Sequence, residues 1–197
     1  MQVFLGTMKI TLVQPPALLA VDNYSTITQP PLGLAYLASY TREHGHEVTV
    51  IDAVGQAVTQ LRPWPKRENR LFQGLSFDEI IARVPRDSEV IGVSCMFTHA
   101  WPMVRELLRQ FSIAFPNAKL IAGGEHATSM HEKILRETLT HACVLGEGEA
   151  TLLELLSTFE KGTPLLGVAG LAIRDKAGRI HRTPKRARIA DPDSLPW

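Results

Sequence analysis

Apolar positions run through the first 160 residues in two alternating rhythms. Short, mostly apolar runs at residues 9–13, 48–51, 89–94, 119–122 and 142–145 have the length and bounding turn residues of strands buried on both faces. Between them apolar residues recur three and four apart, as in Leu34, Leu37, Ala38 and Thr41, in Val104, Leu107, Leu108, Phe111 and Phe115, and in Leu152, Leu155, Leu156 and Phe159. A further helix is read over residues 127–137. Gly45 is placed to end the first helix as a left-handed cap, and Ser76 with Glu79 three residues on reads as a capping box opening a short helix. Five strand–helix alternations predict an α/β domain with a parallel sheet covered on both sides. Right-handed crossovers and the chain length favour a Rossmann-like, flavodoxin-like sheet of five parallel strands in the order 2-1-3-4-5.

The rhythm breaks in three places. Residues 53–75 are irregular, and Pro63-Trp64-Pro65 with the charged run 66–70 reads as a surface insertion. Residues 172–174 and 179–181 read as two short strands around Lys176-Ala177-Gly178, a hairpin. The ending Asp191-Pro192-Asp193-Ser194-Leu195-Pro196-Trp197 is polar and proline-rich, as in a linker that leads into something else. The expected organisation is a Rossmann-like domain over residues 8–165, a hairpin extension over 166–190 and a linker over 191–197.

Composition changes this picture little. A chain of 197 residues with 45% hydrophobic and 21% charged residues is ordinary for a globular domain. No apolar run approaches the roughly 18 residues of a membrane span, and the first eight residues lack the pattern of a secretory signal. The two cysteines, Cys95 and Cys143, form no Cys-x-x-Cys pair. They exclude a disulfide framework and a cysteine-rich metal site, and a reducing cytoplasm is expected. Charge is uneven. Residues 174–197 hold seven Lys/Arg against three Asp/Glu, and residues 1–173 hold fourteen against seventeen. A basic stretch can contact phosphate or nucleic acid, but two short strands with solvated charged faces account for it better, so neither a nucleic-acid nor a membrane partner is expected.

In a sheet of this order, ligands bind outside the carboxyl ends of the strands. The first such loop carries Gln14-Pro15-Pro16 and Gln29-Pro30-Pro31-Leu32-Gly33, where prolines stiffen the backbone and Gly33 permits close approach of a flat ligand; a plain connector is the other reading. The third is Ser94-Cys95-Met96-Phe97-Thr98-His99, whose small and soft groups suit the face of a large planar ring. Cys95 has no activating neighbour in sequence and reads as a small buried residue rather than a nucleophile. His99 is a capping donor or, less favoured, a metal ligand. The fourth is Gly123-Gly124-Glu125-His126-Ala127-Thr128, with bare backbone ahead of a helix start, and His126 as packing over the turn. The fifth is Gly146-Glu147-Gly148-Glu149-Ala150-Thr151, where Glu147 and Glu149 make a poor acid–base pair because nothing marks a substrate for them. Glu147 is better suited to a hydroxyl or amide partner.

Taken together and in order, Gln14-Pro15-Pro16, Pro31-Leu32-Gly33-Leu34-Ala35-Tyr36-Leu37-Ala38, Gly45-His46-Glu47-Val48, Gly123-Gly124-Glu125-His126-Ala127-Thr128 and Gly146-Glu147-Gly148-Glu149 resemble the cobalamin-binding domain of cobalamin-dependent radical S-adenosylmethionine enzymes. The resemblance covers about residues 8–160, and the last five residues are similar to the linker before that family's radical domain. It implies a corrinoid at the carboxyl edge of the sheet, with its nucleotide tail running between strands and helices. The third loop (Ser94, Cys95, Met96, Phe97 and Thr98) would face the lower side of the corrin. Gly123, Gly124 and Thr128 would line the tail, and Gly146 and Gly148 would flank it. Full-length members often relay a methyl group. The sequence departs from methionine synthase and the mutases in lacking Asp-x-His-x-x-Gly, so no lower histidine ligand is expected. It also lacks the Cys-x3-Cys-x2-Cys triplet. The 4Fe-4S cluster and S-adenosylmethionine would therefore belong to a radical domain outside this sequence, in a longer chain or a partner subunit. A cofactor-free docking domain and a flavin or nucleotide binder are the alternatives on the same fold.

Overall fold

The structure, a computed structural model, describes residues 6–22, 29–65 and 68–196. Residues 1–5, 23–28, 66–67 and 197, from the N-terminal stretch, the first loop, the charged run and the closing linker, lie outside the described residues. In chain order the elements are β1 (Lys9–Gln14), β2 (Ala17–Ala20), α1 (Leu32–Glu43), β3 (Glu47–Asp52), β4 (Leu61–Pro63), β5 (Arg70–Gln73), α2 (Phe77–Arg83) and β6 (Val90–Ser94). There follow α3 (Trp101–Ala114), β7 (Lys119–Gly123), α4 (Glu125–Glu137), β8 (Ala142–Val144), α5 (Glu149–Lys161), β9 (Leu171–Arg174) and β10 (Ile180–Arg182).

The main sheet has the order β10-β9-β8-β7-β6-β1-β3. Its five parallel strands, β3-β1-β6-β7-β8, are the five runs read from sequence, in the expected 2-1-3-4-5 order. The strand count differs. The hairpin does not stand apart: β9 pairs antiparallel with β8 and β10 with β9, making seven strands. Leu171, Ala172 and Ile173 are buried, one more apolar stretch that needs both faces covered, and their pairing satisfies the outer edge of the three-residue strand β8.

A second correction concerns residues 53–75. The described residues among them are no surface insertion: β4 and β5 pair antiparallel, and β2, entered directly after buried Pro15 and Pro16, completes a three-stranded sheet in the order β2-β5-β4. Trp64 is 5% exposed and stacks on Phe72 at 5.8 Å between ring centroids, while Phe77 meets both rings edge-on. This aromatic knot anchors the small sheet to the main core. The capping box opens α2 as expected. Ser76 Oγ accepts from Glu79 N–H at 3.3 Å, and Glu79 accepts from Ser76 N–H at 2.7 Å. That backbone donor, then the Ser76 side chain and Arg62, hold the Glu79 carboxyl down at about 2.

The sheet separates two cores. One includes Val13, Ile91, Val93, Ile80, Leu107, Phe111 and Ile134, packing β1 and β6 against α2, α3 and α4. The other includes Ile10, Leu12, Leu34, Ala38, Ile121, Leu152 and Leu155, packing the opposite face against α1 and α5. Alternation along β1 assigns Leu12 and Val13 to opposite sides.

Candidate functional site

The register of β1, β6 and β7 sets the floor of the site. Leu12 lies opposite Gly92, and Gly92 opposite Ile121, in one row across three adjacent strands. Leu12 and Ile121 carry large side chains toward α1 and α5, and Gly92 between them carries none. A Cβ on Gly92 would stand 2.9 Å from Leu12 Cδ2 and 3.3 Å from Ile121 Cγ1. The gap opens into a cavity of about 630 Å³, walled by Leu34 and Leu37 of α1, Leu152 of α5 and the loops at the strand ends. It is a slot between sheet and helices that opens at the carboxyl edge.

Ten sequence-expected residues line this slot: Gly33, Ser94, Met96, Gly123, Gly124, Glu125, Thr128, Gly146, Glu147 and Gly148. Gly124 has φ +102°, and a Cβ there would press on Cys95 O at 2.9 Å and Met96 Sδ at 2.8 Å. Its bare backbone therefore makes room for the neighbouring loop as well as for a ligand. Gly123 is open, with Val144 Cβ the nearest atom at 3.9 Å. Thr128 Oγ1 accepts from Gly146 N–H at 3.0 Å and donates to Gly124 O at 3.1 Å, tying the fourth loop to the fifth. Glu149 also lines the slot, and its Oε2 is buried with no partner among the described residues.

The other expected residues stand elsewhere. Pro15 and Pro16 are buried on the way into β2, and Gln14 ends β1 partly buried. Leu32, the first residue of α1, and Phe97, on the loop after β6, are exposed near the carboxyl edge of the sheet; Met96 is exposed there as well. Cys95 is buried in the opposite core, and burial pushes its thiol up to about 12, so it is no nucleophile; Cys143 is raised to about 12 likewise. His126 is buried, with Nδ1 3.0 Å from Thr98 Oγ1 and its ring 5.4 Å from that of Trp101, and burial pushes its pKa below the usual imidazole value. It packs over the turn and does not line the slot. His99 is exposed and stacks on Phe97 at 5.6 Å. Among the described residues no group of three or more His, Cys, Asp or Glu is placed to hold a metal ion, and no helix is long and apolar enough to cross a membrane.

Two parts of the slot were not read from sequence. Gly92 was legible in principle, because an isolated glycine inside a buried strand marks close approach. The basic C-terminal stretch, taken as a solvated face, supplies Arg182, Lys185, Arg186 and Arg188 to the wall. Nothing in its spacing marks this; it follows from β9 and β10 joining the sheet, which carries the chain back along α5.

An α/β domain with a largely apolar slot beneath the carboxyl edge of its sheet has the place and the lining of a small-molecule site. A family model described as the B12 binding domain matches residues 21–156, and the chain belongs to that family. Among curated proteins it is 32% identical over 193 residues to the "Uncharacterized methyltransferase PH0819" of Pyrococcus horikoshii, covering 96% of this chain and 37% of that protein. It is 30% identical over 184 residues to the cytidylyl-2-hydroxyethylphosphonate methyltransferase of Streptomyces wedmorensis, covering 92% and 34%. The chain thus spans about a third of the length of these relatives. Among solved structures it shares its fold with the cobalamin-dependent S-adenosylmethionine radical enzyme OxsB, with aqua-cobalamin and S-adenosylmethionine bound (TM-score 0.71, 19% identity, 92% of this chain and 23% of that one). It also shares it with the radical S-adenosylmethionine methyltransferase TsrM from Kitasatospora setae (TM-score 0.64, 19% identity, 90% and 30%).

The residues present fit a corrinoid. The row Leu12–Gly92–Ile121 leaves a strip of sheet that a Cβ would fill, apolar side chains stand exposed at its mouth, and Glu149 Oε2 is an orphaned acceptor within it. The amide arms and ribose hydroxyl of a corrinoid are donors that suit this acceptor.

Proposed function

We propose that this chain holds cobalamin as the corrinoid module of a radical S-adenosylmethionine enzyme, a methyltransferase. The observation that carries this reading is the gap at Gly92 in an otherwise filled apolar row, at the floor of a 630 Å³ slot, in a chain of the B12-binding family. The methyltransferase names of two relatives and the radical S-adenosylmethionine folds of the solved neighbours support the wider role. Bound cobalamin supplies a cobalt that can accept and pass on a methyl group.

The chain's own residues bind and orient. Leu12, Gly92, Ile121, Leu37 and Leu152 exclude water from the nucleotide tail, and Gly123, Gly124, Gly146 and Gly148 clear the backbone around it. The Thr128 bridge fixes the spacing of the two glycine loops. Leu32, Met96 and Phe97 offer an apolar face to the corrin plane. The cluster and S-adenosylmethionine belong, on this reading, to a radical domain outside residues 1–197. The expected division is a binding domain over residues 8–165, a hairpin over 166–190 that completes its sheet, and a linker over 191–197.

Titration of the chain with hydroxocobalamin tests this. Saturable binding with a red-to-orange protein after gel filtration is the expected result. A colourless, folded protein would favour a docking domain, and a yellow protein after flavin reconstitution a flavin binder.

A further inference from the structure

The segment after β10 is irregular, yet it is pinned at every second or third residue. Thr183 N–H donates to Leu171 O at 2.9 Å, and Leu171 N–H donates to Thr183 Oγ1 at 2.8 Å. Gly170 N–H donates to Pro184 O at 2.8 Å. Arg186 Nε donates to Thr151 Oγ1 at 2.8 Å, and its guanidinium is ion-paired with Glu154 and reaches Ala169 O at 3.3 Å. Ile189 N–H donates to Glu147 Oε2 at 2.6 Å. The segment is a strap laid along α5 that forms one wall of the slot.

The charges on this wall are divided between two tasks. Arg186 is spent on holding the strap. Arg182, Lys185 and Arg188 also line the slot and have no ion-pair or hydrogen-bond partner through their side chains among the described residues. The carboxylates that also line the slot make no ion pair with these three: Glu147 accepts from the Ile189 backbone, Glu125 accepts from Ser129 Oγ at 3.3 Å, and Glu149 Oε2 is buried without a partner among the described residues. Three cations without an ion pair stand together on one wall of the slot, and a phosphate group is the ligand chemistry that lysine and arginine together answer best.

We infer that Arg182, Lys185 and Arg188 on the strap recognise the phosphodiester of the nucleotide loop, so that the chain selects complete, nucleotide-bearing corrinoids over truncated ones. This rests on the corrinoid reading above and adds a specificity determinant to it. The strap acts as a gauge: it stands where a phosphate-bearing tail lies alongside it, and a corrinoid without that tail leaves its cations unanswered.

The test compares the 197-residue chain with its Lys185→Ala/Arg188→Ala variant, titrated by absorbance with hydroxocobalamin and with cobinamide, which lacks the nucleotide and its phosphate. Both side chains are exposed and unpartnered, so the variant keeps its circular dichroism. The parent is expected to prefer hydroxocobalamin, by a margin that shrinks with added salt, and the variant is expected to lose about tenfold in hydroxocobalamin affinity with cobinamide unchanged. A single Arg182→Ala variant should move the same way by a smaller factor. An unchanged preference in the variant, or an equal loss for both corrinoids, overturns the inference and leaves the corrinoid reading standing. If cobinamide with free inorganic phosphate reproduces the hydroxocobalamin affinity, the cations serve a free anion and the inference fails. A folded parent that binds neither corrinoid overturns the corrinoid reading and this inference with it.

Discussion

At the residue scale, the absence of a side chain at Gly92 does what no polar contact could. It leaves a strip of sheet between Leu12 and Ile121 onto which a narrow ligand can settle. A Gly92→Val substitution suits a strand and its Cβ meets side-chain rather than backbone atoms, Leu12 Cδ2 and Ile121 Cγ1, so its cost to stability is expected to be that of overpacking, about 1–3 kcal/mol. It should weaken hydroxocobalamin tenfold or more, read by the same titration. Gly123→Val, with 3.9 Å to its nearest neighbour, is the matched substitution at the rim and should weaken binding with little loss of stability. Gly124 is a poorer probe, since its positive φ strains any substituent. The histidines give a separate expectation. His126 is buried over the turn with its Nδ1 on Thr98, and neither it nor His99 lines the slot, so neither is expected to ligate cobalt. Electron paramagnetic resonance of the cob(II) form, loaded with a corrinoid free of dimethylbenzimidazole, should show no nitrogen superhyperfine splitting. A splitting abolished in His99→Ala or His126→Ala would refute this.

At the element scale, the five parallel strands and their order were legible because each run is mostly apolar and bounded by turn residues, which leaves little freedom in a doubly covered sheet. The small sheet was not. Strands β4 and β5 are three and four residues long, Pro63 sits inside one of them, and their burial rests on Trp64 meeting Phe72 and Phe77 across the fold, which no local spacing encodes. The same holds for the slot. The glycine loops were readable one by one, whereas Leu12, Gly92, Ile121 and the basic strap come together only through strand register and the path of the chain after β10. The small sheet packs in the core on the far side of the main sheet from the slot. Trp64→Ala should therefore cost about 3–5 kcal/mol in chemical denaturation, while corrinoid affinity of the remaining folded protein stays within about twofold.

At the scale of the whole molecule, burial lowers the pKa of three histidines spread across the domain, His46, His126 and His141. Each is held neutral when folded and takes a proton more readily when unfolded, near pH 6.5. Their contribution is fully present above that pH and is lost as pH falls below it toward the lowered folded values. Carboxylates such as Glu137, held at about 2 first by Lys133 and then by Arg105 and Trp101, add their own loss only at more acid pH. The melting temperature should be level from pH 8 to 7 and fall between 6.5 and 5. A flat profile across that lower range would contradict the assignment.

The missing side chain in the row Leu12–Gly92–Ile121 has a thermodynamic consequence. In an apolar layer every filled position contributes cohesion through contact, and an empty slot lying against the layer forfeits it. A ligand that enters there serves as a detachable piece of the hydrophobic core, so occupancy and folding become one linked equilibrium. The free protein should be the weaker state, and each hundredfold excess of ligand over its dissociation constant should add about 2.7 kcal/mol. For a domain of this size that is a rise of roughly 5–10 °C in melting temperature. The dependence on ligand concentration should be flattened in Gly92→Val, because a valine there crowds Leu12 and Ile121 and obstructs the slot that the ligand would fill.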